Sequence, residues 1–272
     1  MIFFTSKEKT EDLLYQAMSF MEKQQPKSAI SFFKKIIKQD PKNIDALYNQ
    51  GIALNQLRKY QDAITCFDKV LEINPKHIAA INNRGIALAE LGNTDDALEY
   101  YNKAIEIDPK YAAAHYNKGV LYDKLLQHEE AIRNLDEAIK CDSGNVNTAF
   151  YRGVVLGKMK KHEEALNCFE NIYRKHPKHM DAFFHKGMEL AELGKHERAL
   201  EIFDKLFQMH EGNVNVIYAM ARSNAAMNNV GRALYLLEQA VKKDRKTIKK
   251  WALEDEFFDS LQDEPKFTRL IK

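Results

Sequence analysis

Alanine recurs at positions 29, 63, 97, 131, 165, 199 and 233, and each interval is 34 residues. A fixed period of this length marks a chain built by stacking one small unit on copies of itself, since each unit buries its apolar face only against the next. A second column with the same period holds Ala17, Gly51, Gly85, Gly119, Gly153, Gly187 and Ala221, the two smallest side chains alone. A third, four residues after the alanine, holds Phe33, Phe67, Tyr101, Leu135, Phe169, Phe203 and Leu237. Small side chains let two helix backbones approach to the near end of the roughly 8–10 Å packing distance. The bulky residue then fills the space beyond.

Within residues 44–77, Leu47, Gly51 and Leu54 fall at i, i+4 and i+7, and Ala63, Phe67 and Val70 repeat that spacing. Both stripes have the period of an amphipathic helix. Arg58-Lys59-Tyr60 makes a short polar turn between them. Asn74-Pro75 ends the second helix, because the residue before proline is pushed out of the α region; Asp40-Pro41, Asp108-Pro109 and His176-Pro177 repeat the stop. Counting from Thr10, seven units follow without a linker or second domain: 10–43, 44–77, 78–111, 112–145, 146–179, 180–213 and 214–247.

The unit resembles the tetratricopeptide repeat, whose pattern is met by Leu47, Gly51, Leu54, Ala63, Phe67 and Pro75, and the resemblance covers residues 10–247. It implies an all-α, right-handed superhelical solenoid of seven antiparallel helix pairs closed by a C-terminal capping helix. It also implies a scaffold or adaptor that holds another polypeptide rather than an enzyme. Three units depart from the pattern. Ser143-Gly144 and Glu211-Gly212 replace the proline stop, Arg245 stands in the seventh, and Asn224 takes a usually apolar slot there, so the seventh pair is expected to be the loosest.

Stacked units need closed ends. Residues 1–9 are expected to cap the first helix, with Thr5 and Glu8 as a capping box and Ile2, Phe3 and Phe4 folding over it. Residues 248–272 are expected to cap the last. Trp251 keeps the period, but Asp255 stands where Gly or Ala is needed, so an eighth unit is not completed. Asp255, Phe258, Leu261, Phe267 and Leu270 resemble the closing tail of such proteins, an apolar plug over the last pair.

In the family resembled, the first helices of successive pairs line a concave groove. On that face here stand Leu14, Tyr48, Asn82, Tyr116, Phe150, Phe184 and Tyr218, and one helical turn on, Met18, Ile52, Ile86, Val120, Val154, Met188 and Arg222. An apolar, aromatic-rich stripe of this kind offers anchors for a peptide. Beside it lie Tyr15, Asn49, Asn83, Asn117, Tyr151, His185 and Ala219. The three successive asparagines each carry a donor and an acceptor, which suits them to gripping the backbone of an extended strand. The lysines of a clamp for a chaperone's C-terminal carboxylate are missing. The partner expected is therefore an extended or helical segment of another protein, or a second copy of this chain meeting the groove or an end cap.

Other classes find little support. The net charge of +2 gives no global field for nucleic acid or an anionic membrane. Lys242, Lys243, Arg245, Lys246, Lys249 and Lys250 form a basic run without interleaved aromatics, which leaves RNA or DNA binding through residues 242–250 a minor alternative. Phosphate-loop, dinucleotide and nucleophile-elbow motifs are absent, so neither catalysis nor a cofactor is expected. His128, His162 and His196 share one turn position, too far apart to share a metal, and His176 and His179 read as a solvated turn. Cys66, Cys141 and Cys168 read as reduced structural thiols, and with no membrane span or secretory leader a cytoplasmic location is expected.

Overall fold

The computed structural model describes residues 6–271, with side chains from Thr10 onward. The expectations for Ile2, Phe3, Phe4 and Thr5, and for the side chain of Glu8, lie outside that range. The chain divides into two compact units between Gly144 and Asn145. The first holds α1 (Ser6–Glu22), α2 (Pro26–Gln39), α3 (Ile44–Gln56), α4 (Tyr60–Ile73), α5 (Ile78–Glu90), α6 (Thr94–Ile107), α7 (Ala112–Lys124) and α8 (His128–Cys141). The second holds α9 (Val146–Lys158), α10 (His162–Lys175), α11 (Met180–Glu192), α12 (His196–Met209), α13 (Val214–Ala226), α14 (Val230–Lys243) and α15 (Arg245–Glu254), then a 3-10 turn (Glu256–Leu261) and α16 (Pro265–Ile271). No strand occurs among the described residues. Inside each unit every helix packs on the next in sequence, as expected of an all-α solenoid of helix pairs.

The glycine column is where the two helices of a pair meet. A Cβ on Gly51 would lie 2.5 Å from Cε1 of Phe67, and one on Gly85 would lie 2.7 Å from Cε1 of Tyr101. The missing methyl is what admits the ring, and the alanines at 29, 63, 97 and 131 are fully buried alongside. Burying the bulky side chain of this column, aromatic in five pairs and Leu135 or Leu237 in the other two, contributes roughly 1.5–3 kcal/mol per pair.

The turn inside each pair has one geometry. Gln24, Arg58, Gly92, Leu126, Lys160, Gly194 and Asn228, spaced at the same period, all have φ between 55° and 84°. The residue after each sends its N–H back to the first helix, as in Lys59 N to Leu54 O at 2.9 Å and Gln127 N to Tyr122 O at 2.9 Å. These bonds satisfy carbonyls that a helix end leaves orphaned. Between pairs, Asn43, Asn145 and Asn213 cap the following first helix through their carboxamide oxygens, and His77 and His179 do so through Nδ1. His179 thus has a structural partner, the N–H of Ala182 at 3.1 Å.

The last pair is not loose. In α13 every residue from Val216 to Ala225 except Arg222 is buried, because the 3-10 turn packs against it and Phe258, Leu261 and Phe267 fill the space beneath. Asn224 is accommodated by donating to the Met220 carbonyl at 2.8 Å. The irregular residues of the seventh pair therefore sit under cover. That cover was expected from the tail; its effect on the pair was not.

Candidate functional site

In the first unit α3, α5 and α7 carry the expected surface. Tyr48, Ile52, Ile86, Tyr116 and Val120 are half-buried, with Tyr48 and Ile86 packed on core clusters. The Tyr48 ring lies 5.0 Å from His77 and 6.1 Å from Phe67. Burial raises the phenol pKa of both Tyr48 and Tyr116 above the ordinary value.

The asparagines are tied into the fold. Asn49 Nδ2 donates to the Asp45 carbonyl at 2.8 Å. Asn83 Nδ2 donates to the Ala79 carbonyl at 2.8 Å and to the Tyr48 hydroxyl at 3.1 Å, which uses both of its amide hydrogens. Asn117 Nδ2 donates to Asn82 Oδ1 at 2.9 Å. Asn82, expected on the surface, is only 3% exposed, and its part is to hold Asn117. Asn83 has no amide hydrogen left to offer, whereas the bonds of Asn49 and Asn117 each use one of two.

In the second unit Phe150, Tyr151, Val154, Phe184 and Met188 are half-buried on α9 and α11. His185 ties the two helices together, its ring 5.2 Å from Phe150, 5.1 Å from Phe169 and 5.8 Å from Phe184. Burial there pushes its pKa down, against the weaker pull of Asp181.

At α13 the pattern changes. Tyr218 and Arg222 occupy the surface columns, yet Tyr218 is only 7% exposed. Its hydroxyl donates to Asp255 Oδ2 at 2.8 Å, and its ring faces Trp251 at 5.5 Å and Phe258 at 5.7 Å. Arg222 is clamped between Asp255, 2.6 Å from Nε, and Glu192, 2.9 Å from Nη2, with its guanidinium over the Phe257 ring at 4.3 Å. The segment after α14 thus comes back over the face that the sequence marks as surface. Where it stops short, a cleft of about 580 Å3 remains, lined by Phe184, Met188, Tyr218, Trp251 and Phe257 with charged groups around them.

Sequence reasoning missed two pairs of a buried acid with a half-buried histidine. His162 Nδ1 lies 2.7 Å from Glu189 Oε2, and His128 Nδ1 lies 3.0 Å from Asp123 Oδ1. Burial raises the Glu189 pKa, partly offset by His162. Glu189 stands in a column filled in the four preceding units by Ala53, Ala87, Leu121 and Val155, and Gly157 makes room for it: a Cβ there would lie 2.7 Å from Glu189 Oε1. A charged residue in a buried column is the signal that was available. One period on, the same two positions are His196 and Ser223, and serine is too short to complete the pair; the His196 ring packs against Phe257 instead. No group of three or more His, Cys, Asp or Glu suited to a metal occurs among the described residues, and no described helix is long and apolar enough to cross a membrane.

Models described as tetratricopeptide repeat match residues 43–110 and 78–143, 152–213 and 190–254. A model described as anaphase-promoting complex, cyclosome, subunit 3 matches residues 2–70. No curated protein matches the sequence. Among solved structures, a tetratricopeptide repeat protein from Parabacteroides merdae is 22% identical over 89% of this chain and 96% of its own, with a TM-score of 0.62. PilF of Pseudomonas aeruginosa is 21% identical over 78% of this chain and 97% of its own, with a TM-score of 0.64. YrrB, described as a tetratricopeptide protein with an unusual peptide-binding site, is 25% identical over 69% of this chain and 97% of its own, with a TM-score of 0.58. The period, the glycine-to-ring contacts and these matches together place the chain in the tetratricopeptide repeat family.

Proposed function

We propose that the chain is a non-catalytic adaptor that binds a peptide segment of another protein on the face formed by the first helix of each pair. The observation that carries this reading is the recurrence, at the repeat period, of half-buried apolar and aromatic residues on that face. They are Tyr48, Ile52, Ile86, Tyr116 and Val120 in the first unit and Phe150, Val154, Phe184 and Met188 in the second. Side chains already held along one edge lose little rotamer freedom when a partner covers the other. Asn49, Asn83 and Asn117 supply carboxamide oxygens to strand N–H groups, Asn82 supports Asn117, and Tyr151 borders the stripe. The peptide-binding site ascribed to YrrB supports the same use of the fold.

The test is a capture experiment from a lysate with the intact chain beside a Tyr116→Glu, Phe150→Glu double variant, checked for retained helicity by circular dichroism. Partners held by the intact chain and lost by a folded variant are the expected result. Identical capture by both forms would sink the reading and turn attention to the end caps and the 242–250 run.

A further inference from the structure

The segment after α14 contains two sets of residues that behave differently. Phe258 and Leu261, on the turn that packs against α13, and Phe267, stacked on Phe258, are buried, which is all that closing the end of the stack requires. Trp251, by contrast, is 39% exposed, Glu254 and Glu256 are exposed, and all three line the cleft beside Tyr218 and Phe184. A cap needs none of these three. Their placement makes the segment a wall of the cleft as well as a plug.

The charges around the cleft are unbalanced. Glu192, Glu254, Asp255 and Glu256 stand against Lys160 and Arg222. Arg222 is already consumed between Glu192 and Asp255, while among the described residues Glu254 and Glu256 are in no ion pair. An acidic rim around aromatic and aliphatic walls attracts a cation carried next to apolar bulk, and the exposed part of the Trp251 ring adds a favourable surface for that cation. A volume of about 580 Å3 falls within the roughly 300–1,000 Å3 typical of ligand sites.

We propose that the cleft between α11, α13 and α15 binds a peptide segment in which a large apolar residue is flanked by lysine or arginine. The proposal rests on the peptide-binding reading above and gives it a ligand chemistry. The apolar residue enters between Phe184, Met188 and Trp251, and the flanking cations meet Glu254 and Glu256.

The test uses the full chain and a labelled probe, acetyl-Gly-Ser-Lys-Leu-Phe-Lys-Ser-Gly-amide, followed by fluorescence anisotropy, with counterparts carrying Gln or Glu in place of both lysines. The expected result is binding of the lysine probe that weakens as salt is raised, with the Glu probe at least tenfold weaker. A Glu254→Lys, Glu256→Lys variant, whose changes lie on exposed positions, should weaken the lysine probe about tenfold, because it turns two attractive contacts into repulsive ones. A Glu72→Lys variant, a single charge reversal at an exposed position on α4 in the other unit and away from the first helices, should leave that affinity unchanged. Equal binding of all three probes, or no binding of the lysine probe, overturns the proposal. If Tyr116→Glu abolishes binding and the double charge reversal does not, the peptide sits elsewhere on the first helices; the adaptor reading then stands and the cleft assignment falls. Self-association abolished by the charge reversal, seen as an apparent mass that rises with concentration only in the unaltered chain, would make a second copy the occupant and would likewise overturn it.

Discussion

At the scale of single residues, His185 shows how a surface column acquires a structural duty. Its position is filled by Asn49, Asn83 and Asn117 in earlier repeats, yet here the ring is wedged among Phe150, Phe169 and Phe184. Burial disfavours the imidazolium, so the folded-state pKa lies below the ordinary 6.5. The contribution to stability is present above pH 6.5 and is lost as pH falls through the depressed value, because the unfolded chain takes up a proton that the folded chain resists. Glu189 acts in the opposite sense: its raised pKa favours the folded chain as pH falls towards 4.5. Melting temperatures between pH 7 and pH 5.5 should therefore drop in the unaltered chain and drop less in His185→Asn, which loses about 1–2 kcal/mol of ring packing at all pH values. Parallel slopes for the two proteins would show that some other group titrates. The asparagine row makes a related point about legibility. Its positions were readable from the period, but that Asn83 gives both amide hydrogens to Ala79 and Tyr48 was not. Carboxamide orientation depends on neighbours 4 and 35 residues away.

At the scale of elements, the helix pairs were readable because small and bulky residues alternate in fixed columns. The turn between them was readable only in part. Gly92 and Gly194 announce a left-handed residue, and Asn228 tolerates one, but Arg58, Leu126 and Lys160 give no such sign and adopt the same φ. Closure imposes it: the N–H after each must reach back to the first helix, and the bond geometry leaves one solution. For a residue with a Cβ the left-handed region costs roughly 1–2 kcal/mol. Leu126 bears that cost while being 78% exposed, so its side chain returns little burial in exchange. Leu126→Gly should stabilise the first unit by about 1 kcal/mol in urea unfolding, and a change of the same size in the destabilising direction would mean that the Leu126 side chain matters more than its backbone. The return of the C-terminal segment was legible in its apolar tail, but its effect on α13 was not. Tyr218 and Arg222 carry the pattern of exposed groove residues, and only the path of the chain after Glu254 puts Asp255 on both.

At the scale of the whole molecule, contacts run from each helix to its neighbours inside a unit, so stability is a sum of local terms. Such a chain need not unfold in one step. The single tryptophan, Trp251, reports on the second unit alone, whereas the far-ultraviolet circular dichroism signal reports on all helices. Gly51→Val is a lesion confined to the first unit. Its branched side chain would enter space within 2.5 Å of the Phe67 ring, at a cost on the order of 2 kcal/mol from overpacking. In this variant the circular dichroism transition should broaden and begin at lower denaturant, while the Trp251 fluorescence transition keeps its midpoint. The damage then stays local, and a partner held in the second unit would survive it. Should both transitions move together by the same amount, the chain unfolds as one cooperative body, and a ligand in the cleft beside Trp251 would stabilise α3 and α4 as strongly as the helices it touches.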